Sequence, residues 1–171
     1  DRLVGSEMCI RDSSSYHLHH VAGKAVALAE FEEFGRAYAQ DIVANAKALA
    51  ESLAARGFDV LAEDRGYTAS HQVLTRHGEQ DSGAGKKAAR TLEESGIITN
   101  MNMLPGDTKA LSPSGLRLGV PELTRLGMGK EEMDEVAHYF ERVLLDGEDP
   151  ASVKRDVTRF KSDFSVVRYC F

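Results

Sequence analysis

Residues 112–128 read SPSGLRLGVPELTRLGM, and the way this run breaks decides the fold. LRLGV (116–120) predicts a short strand. Pro121 follows at once and opens PELTRLG (121–127), one helical turn with proline at its first position, where a missing N–H costs nothing. The preceding segment, NMNMLPGDTKALSPSG (100–115), carries Pro105, Gly106, Pro113 and Gly115 and reads as an irregular, turn-rich connection. A strand therefore emerges from a long loop and is stopped by a helical turn. Arg117 lies inside that strand. Taken alone, SGLRLG leaves Arg117 equally readable as a solvated surface residue or as an anion holder.

Upstream, 21–56 predicts one long helix. Phe31, Phe34, Tyr38, Ile42, Leu49 and Leu53 recur at steps of three, four or their sums, with abundant alanine between them. Gly35 reads as a bend or a close helix contact, and Gly57 as the residue after the helix end. FDVLA (58–62), SHQVLTR (70–76) and Ile97–Asn100 read as short strands, and Lys86–Ser95 as a short amphipathic helix stopped by Gly96. Downstream, Lys130–Leu145 is amphipathic, with Met133, Val136, Ala137, Phe140, Val143 and Leu144 on one face. DPASVKRDVTRFKSDF (149–164) is another helix, with Asp149 as N-cap and Pro150 at N1. Strands flanked by helices without regular alternation predict an α+β fold, a long N-terminal helix plus a small, mostly antiparallel sheet covered by helices on one face. Tyr38, Phe140 and Phe160 are expected in the core.

The 171 residues carry a formal charge of −6 and no basic stripe, which argues against a nucleic-acid partner. No apolar run is long enough to span a bilayer. LVGSEMCIRDS (3–13) joins nothing around it, and it back-translates to a transposase end sequence of the kind ligated to fragments in sequencing libraries. Residues 1–13 are therefore expected to be a translated-adapter tail and are set aside from fold reasoning. Without Cys9 only Cys170 remains, so no disulfide framework exists and a reducing cytoplasm is expected.

Three stretches together, HLHHVAGKAVALAEF (17–31), GIITNMNMLPGD (96–107) and SPSGLRLGVPELTRLGM (112–128), resemble serine (glycine) hydroxymethyltransferase. YTASHQ (67–72) and the tail 146–171 resemble its archaeal-type branch. The resemblance runs from about Tyr16 to Phe171. It implies the C-terminal part of a dimeric, fold type I pyridoxal-phosphate enzyme: residues 14–56 as the segment and helix joining a large domain, and 57–171 as the small domain. The family moves a one-carbon unit between serine and a reduced pterin, tetrahydrofolate or tetrahydromethanopterin, leaving glycine. Its cofactor-bonding lysine follows a histidine. None of Lys24, Lys47, Lys86, Lys87, Lys109, Lys130, Lys154 and Lys161 does so here. The resemblance thus implies a fragment with no catalytic residue of its own, inactive by itself.

Site residues carry over position by position. Arg117 matches the family arginine that holds the substrate carboxylate, a planar fork suited to two parallel hydrogen bonds. Asn102 matches an asparagine that meets the pterin, although a turn-forming role in a Gly/Pro-rich loop competes. Ser14 and Ser15 fall where the family places a loop reaching the partner subunit's cofactor phosphate. The usual bacterial SPF tripeptide is replaced by ALS (110–112), in a loop one residue shorter, which leaves the carrier open. His17, His19 and His20 could offer adjacent metal ligands, but no carboxylate or cysteine cluster completes a site, so helix-start packing is expected and no metal. His71 is expected to be a core or interface histidine. Rival readings are a pyridoxal-phosphate aldolase, a 2-methylserine hydroxymethyltransferase, or a stand-alone partner-binding domain without catalysis.

Overall fold

The computed structural model describes residues 17–171. The expected residues 1–13 tail, Ser14 and Ser15 lie outside the described residues. Five helices and a four-stranded antiparallel sheet are present among the described residues. The chain divides into two compact units: residues up to Arg36 with Tyr169–Phe171, and Ala37–Arg168.

The helix α1 (Leu18–Ala55) starts in the first unit, where the rings of His17, His19 and His20 meet tilted or edge to face at centroid separations of 4.2–5.5 Å. Phe31 belongs to the expected buried stripe, yet it is 63% exposed. Its ring lies along its own helix, where a Cβ added at Gly35 would sit 2.8 Å from it. Gly35 is thus the seat of an aromatic ring one turn away, and the helix runs through it unbroken. The Phe34 and Phe171 rings meet edge to face at 5.7 Å.

The second unit holds the sheet. α1 ends in a Schellman arrangement: Phe58 N donates to Leu53 O at 3.1 Å and Gly57 N to Ala54 O at 3.0 Å, with Gly57 at φ +91°. The chain reverses there into β1 (Asp59–Val60), then passes a 3-10 turn (Glu63–Arg65) into β2 (Gln72–Arg76). α2 (Ala84–Glu94) leads to β3 (Asn100–Asn102), and the long loop leads to β4 (Gly115–Gly119). α3 (Pro121–Arg125), α4 (Lys130–Leu144) and α5 (Pro150–Ser162) follow. Strand order is β1-β2-β4-β3, so β4, the strand carrying Arg117, is central.

One expected strand is displaced. Ile97–Thr99 is not a strand, and β3 occupies 100–102, which read as loop. The reason is register: Asn100 pairs with Arg117 and Asn102 with Gly115, so pairing begins only where β4 offers partners.

Alternation along the strands separates two faces. Val73, Thr75, Leu116 and Leu118 are buried on one of them. They form a core with Ala46, Leu49, Ala50 and Leu53 of α1, Leu92 of α2, and Met133, Ala137, Tyr139, Phe140 and Val143 of α4. Tyr139 joins the expected α4 stripe, its ring 5.8 Å from that of Phe160. Tyr38 and Phe160 are only half-buried. Asp149 caps α5 as expected, accepting from Ala151 N at 3.4 Å. Arg142 of α4 donates to Glu148 at 2.8 Å and to Asp156 of α5 at 2.9 Å, which ties the last two helices together.

Candidate functional site: an unpaired arginine on the open sheet face

The other sheet face is open at Arg117 and covered by Leu104 at Gly115. Direct cross-strand partners share a face, so Arg117, Leu74 and Asn100 lie side by side, with Gln72 opposite Gly119 and Asn102 opposite Gly115 one step away. Arg117 is exposed and makes no ion pair or side-chain hydrogen bond among the described residues. Arg56 is paired with Asp134 at 2.7 Å and Arg76 with Asp59 at 3.3 Å, whereas Arg155 and Arg159 of the last helix are exposed without an ion pair among the described residues, as Arg117 is; what sets Arg117 apart is its place on an inner strand. An unpaired guanidinium on the central strand is a cation held ready for an external anion.

The backbone under Arg117 is firmly held. β4 is hydrogen-bonded on both edges. Immediately after it, Tyr38 of α1 donates its hydroxyl to Pro121 O at 2.9 Å. The buried Asn45 donates to Thr124 Oγ1 at 3.0 Å and to Met128 O at 2.9 Å. Side chains from one rigid helix therefore anchor the turn that ends the strand.

A cavity of about 820 Å³ reaches β4 at Arg117 and is lined by Asn100, Gln72, His71, Glu122 and Lys161 among its polar groups; its apolar lining, with Leu118, Tyr139 and Phe140, belongs to the covered side of the sheet. Burial, helped by a hydrogen bond to Glu135, pushes the Tyr139 phenol up to about 12, so it stays neutral near pH 7. His71 is exposed at the cavity rim and not in the core, because β2 begins only at Gln72 and leaves the histidine outside the sheet. His17, His19 and His20 remain exposed. Among the described residues no group of three His, Cys, Asp or Glu is arranged to hold a metal ion.

Asn102 sits at the end of β3, half-buried, its Nδ2 donating to Met103 O at 2.7 Å. The loop from Asn102 to Arg117 is organised by two aspartates that the sequence reading passed over. Asp107 accepts from Leu104 N at 3.0 Å, Ser114 N at 2.9 Å, Ser114 Oγ at 2.8 Å and Asp81 N at 2.9 Å. Asp81 accepts from Thr108 N at 2.8 Å, Thr108 Oγ1 at 2.7 Å and Lys109 N at 2.7 Å. The Pro-Gly-Asp turn at 105–107 was the available hint; the partners of its carboxylate were not readable.

These donors, the Ser114 and Leu104 backbone N–H groups foremost, hold the Asp107 carboxyl far below the usual carboxylate range. The Thr108 hydroxyl and the Lys109 N–H lower Asp81. A depressed folded-state pKa stabilises the fold above the unfolded value, 3.8, and the contribution is lost as pH falls through the folded values. The urea midpoint is expected to hold between pH 7 and 5 and to fall below about pH 4, with a shallower acid limb in Asp107→Asn. An unchanged slope in that variant would remove Asp107 from the acid response.

The described residues do not compose a pyridoxal-phosphate site. Lys161 is the one lysine lining the cavity; it is exposed and follows Phe160. Beyond Arg117 the cavity wall is largely aromatic and aliphatic and offers no cluster of phosphate donors. What the site can do is receive a carboxylate at Arg117 and present the amides of Asn100 and Gln72 on the same face.

Fold and site thus define a small α+β domain that offers an anion-receptive arginine from a central antiparallel strand. The serine hydroxymethyltransferase family model matches residues 12–140. The chain is 53% identical over 160 residues to the serine hydroxymethyltransferase of Pyrococcus abyssi, covering 92% of this chain and 38% of that protein. It is 51% identical over 159 residues to that of Pyrobaculum neutrophilum, covering 93% and 36%. The crystal structure of L-threonine transaldolase from Pseudomonas fluorescens in its internal aldimine state superposes with a TM-score of 0.77 at 33% identity, covering 85% of this chain and 33% of that one. The chain belongs to the serine hydroxymethyltransferase family. It spans a little over a third of the length of the curated relatives it matches.

Proposed function

We propose that residues 14–171 are the C-terminal part of a cytoplasmic, homodimeric serine (glycine) hydroxymethyltransferase that exchanges a one-carbon unit between serine and a reduced pterin, with 14–56 as the linking segment and helix and 57–171 as the small domain. The observation that carries this reading is Arg117, an unpaired guanidinium on the central strand of a family member. Two parallel hydrogen bonds to the α-carboxylate of serine or glycine fix the amino acid's orientation as well as its charge. Asn102 offers an amide donor and acceptor to the pterin edge. Pyridoxal 5′-phosphate, the family's electron sink, is held by residues outside 17–171, with Ser14 and Ser15 as contributors toward its phosphate. The described residues bond no cofactor, and the chain alone is inactive. We place the domain junction near residue 57, at the Gly57 reversal.

The test is a paired assay on the complete protein, with serine and either tetrahydrofolate or tetrahydromethanopterin. Turnover with at least one carrier is expected, with tetrahydromethanopterin accepted as well as or instead of tetrahydrofolate, in keeping with the ALS loop. A clear preference for tetrahydrofolate removes the weight placed on that loop. Serine-independent cleavage of another β-hydroxy amino acid, with no carrier used, would favour the second reading, an aldolase-type relative. The likeness to L-threonine transaldolase supports that alternative.

A further inference from the structure

Residues 103–114 join β3 to β4, a long connection between two adjacent antiparallel strands. A free loop of that length pays closure entropy and samples many shapes. Here one carboxylate closes it. Asp107 Oδ2 takes the N–H of Leu104, two residues past Asn102, and both the N–H and hydroxyl of Ser114, one residue before β4. Its Oδ1 takes the N–H of Asp81 from a separate loop. Leu104, 3% exposed, is seated directly over Gly115, the strand partner of Asn102. Asp81 then fixes the far side of the same loop at Thr108 and Lys109.

We propose that Asp107 is a positioning residue for pterin recognition, acting through Asn102. This rests on the reading of Asn102 as a carrier contact. Asn102 is the last residue of its strand, so its side-chain direction depends on where the chain goes next. Its amide already spends one N–H on Met103 O, a residue inside the clamped loop. Holding Leu104 and Ser114 to one carboxylate sets the path of Met103 and, through it, the orientation in which the Asn102 amide meets a heterocycle. A neutral asparagine at 107 keeps the size but has one acceptor oxygen for the same four donors. The amide would also present N–H groups to Leu104 N or Asp81 N, which cannot accept them.

The experiment is a double-mutant cycle in the complete protein, with Asn102→Ala, Asp107→Asn and the pair. Readouts are the carrier KM, glycine affinity by equilibrium titration, and hydrogen exchange of peptides covering 103–114 and 116–120. Each single change is expected to raise the carrier KM by about tenfold, the order of one hydrogen bond with a charged or well-oriented partner. Glycine affinity is expected to stay within about twofold. Exchange is expected to quicken in 103–114 only. The pair is expected to be no worse than the poorer single variant, because both changes remove one interaction. Independent, multiplying effects would overturn the inference and leave the Asn102 reading standing, as would a loosened loop with an unchanged carrier KM. An unaffected carrier KM in Asn102→Ala would sink the carrier reading itself and the inference with it. Should Asp107→Asn not fold, Ser114→Ala, which removes only the hydroxyl donor, takes its place in the cycle under the same criteria.

Discussion

Arg117→Lys in the complete protein is expected to lower catalytic efficiency with serine by roughly 30-fold to several-thousand-fold, and Arg117→Ala by at least as much. That span is the usual cost of truncating one partner of a desolvated, hydrogen-bonded charge pair. Lysine keeps the charge and loses the planar fork, so the conservative replacement is not conservative here. On the proposed role of Arg117 as carboxylate holder, the turnover number should fall along with binding, because the pair would also set the angle at which the Cα–Cβ bond is presented. Cofactor binding and thermal stability should barely change: Arg117 is exposed and makes no ion pair among the described residues, so its loss breaks nothing within the fold. Glycine titration, steady-state kinetics and a thermal melt on the two variants decide the matter. Near-normal glycine binding and turnover in both would mean that Arg117 is a solvated strand residue and that the family fold serves as scaffold only.

Gly85→Ala is expected to be strongly destabilising, although alanine is the better helix former. Gly85 is in the first turn of α2, where the helix backbone touches β4. An added Cβ would lie 2.7 Å from Gly115 N and 2.8 Å from Gly115 C, inside any allowed contact. These are backbone atoms of a strand paired on both sides, and they cannot swing away as a flexible side chain could. Either α2 moves out or β4 moves, and overpacking of this kind costs about 1–3 kcal/mol. A displaced β4 carries Arg117 with it, so substrate affinity should weaken together with stability. A urea melt on Gly85→Ala with no loss of midpoint would show that the helix relaxes freely and that the α2–β4 contact is loose.

These expectations differ in where they could be read. The helices were legible because their signals are local. Asp149-Pro150 opens α5 and Gly57 closes α1 through bonds that reach only a few residues. LRLGV followed by proline announced β4 and its stop, and Arg117 was visible inside it. The strand at 97–100 was misplaced because nothing in IITN distinguishes a strand from its lead-in; the partner Gly115–Arg117 does. Phe31 fits a helical stripe, yet periodicity states which residues share a face and not whether anything covers that face.

The sequence by itself determined the end of α1, the start of α5, the central strand, the family and the identity of the arginine and asparagine to watch, since each rests on short-range pattern or motif. Only the tertiary structure decided that Asn100 and Gln72 flank Arg117, that Gly85 and Gly115 touch backbone to backbone, and that Asp107 gathers Leu104, Ser114 and Asp81 around one carboxylate. Register, close approach and the partners of a loop carboxylate are set by residues far apart in the chain. Their pairing free energy is realised only when the sheet and its covering helices form together.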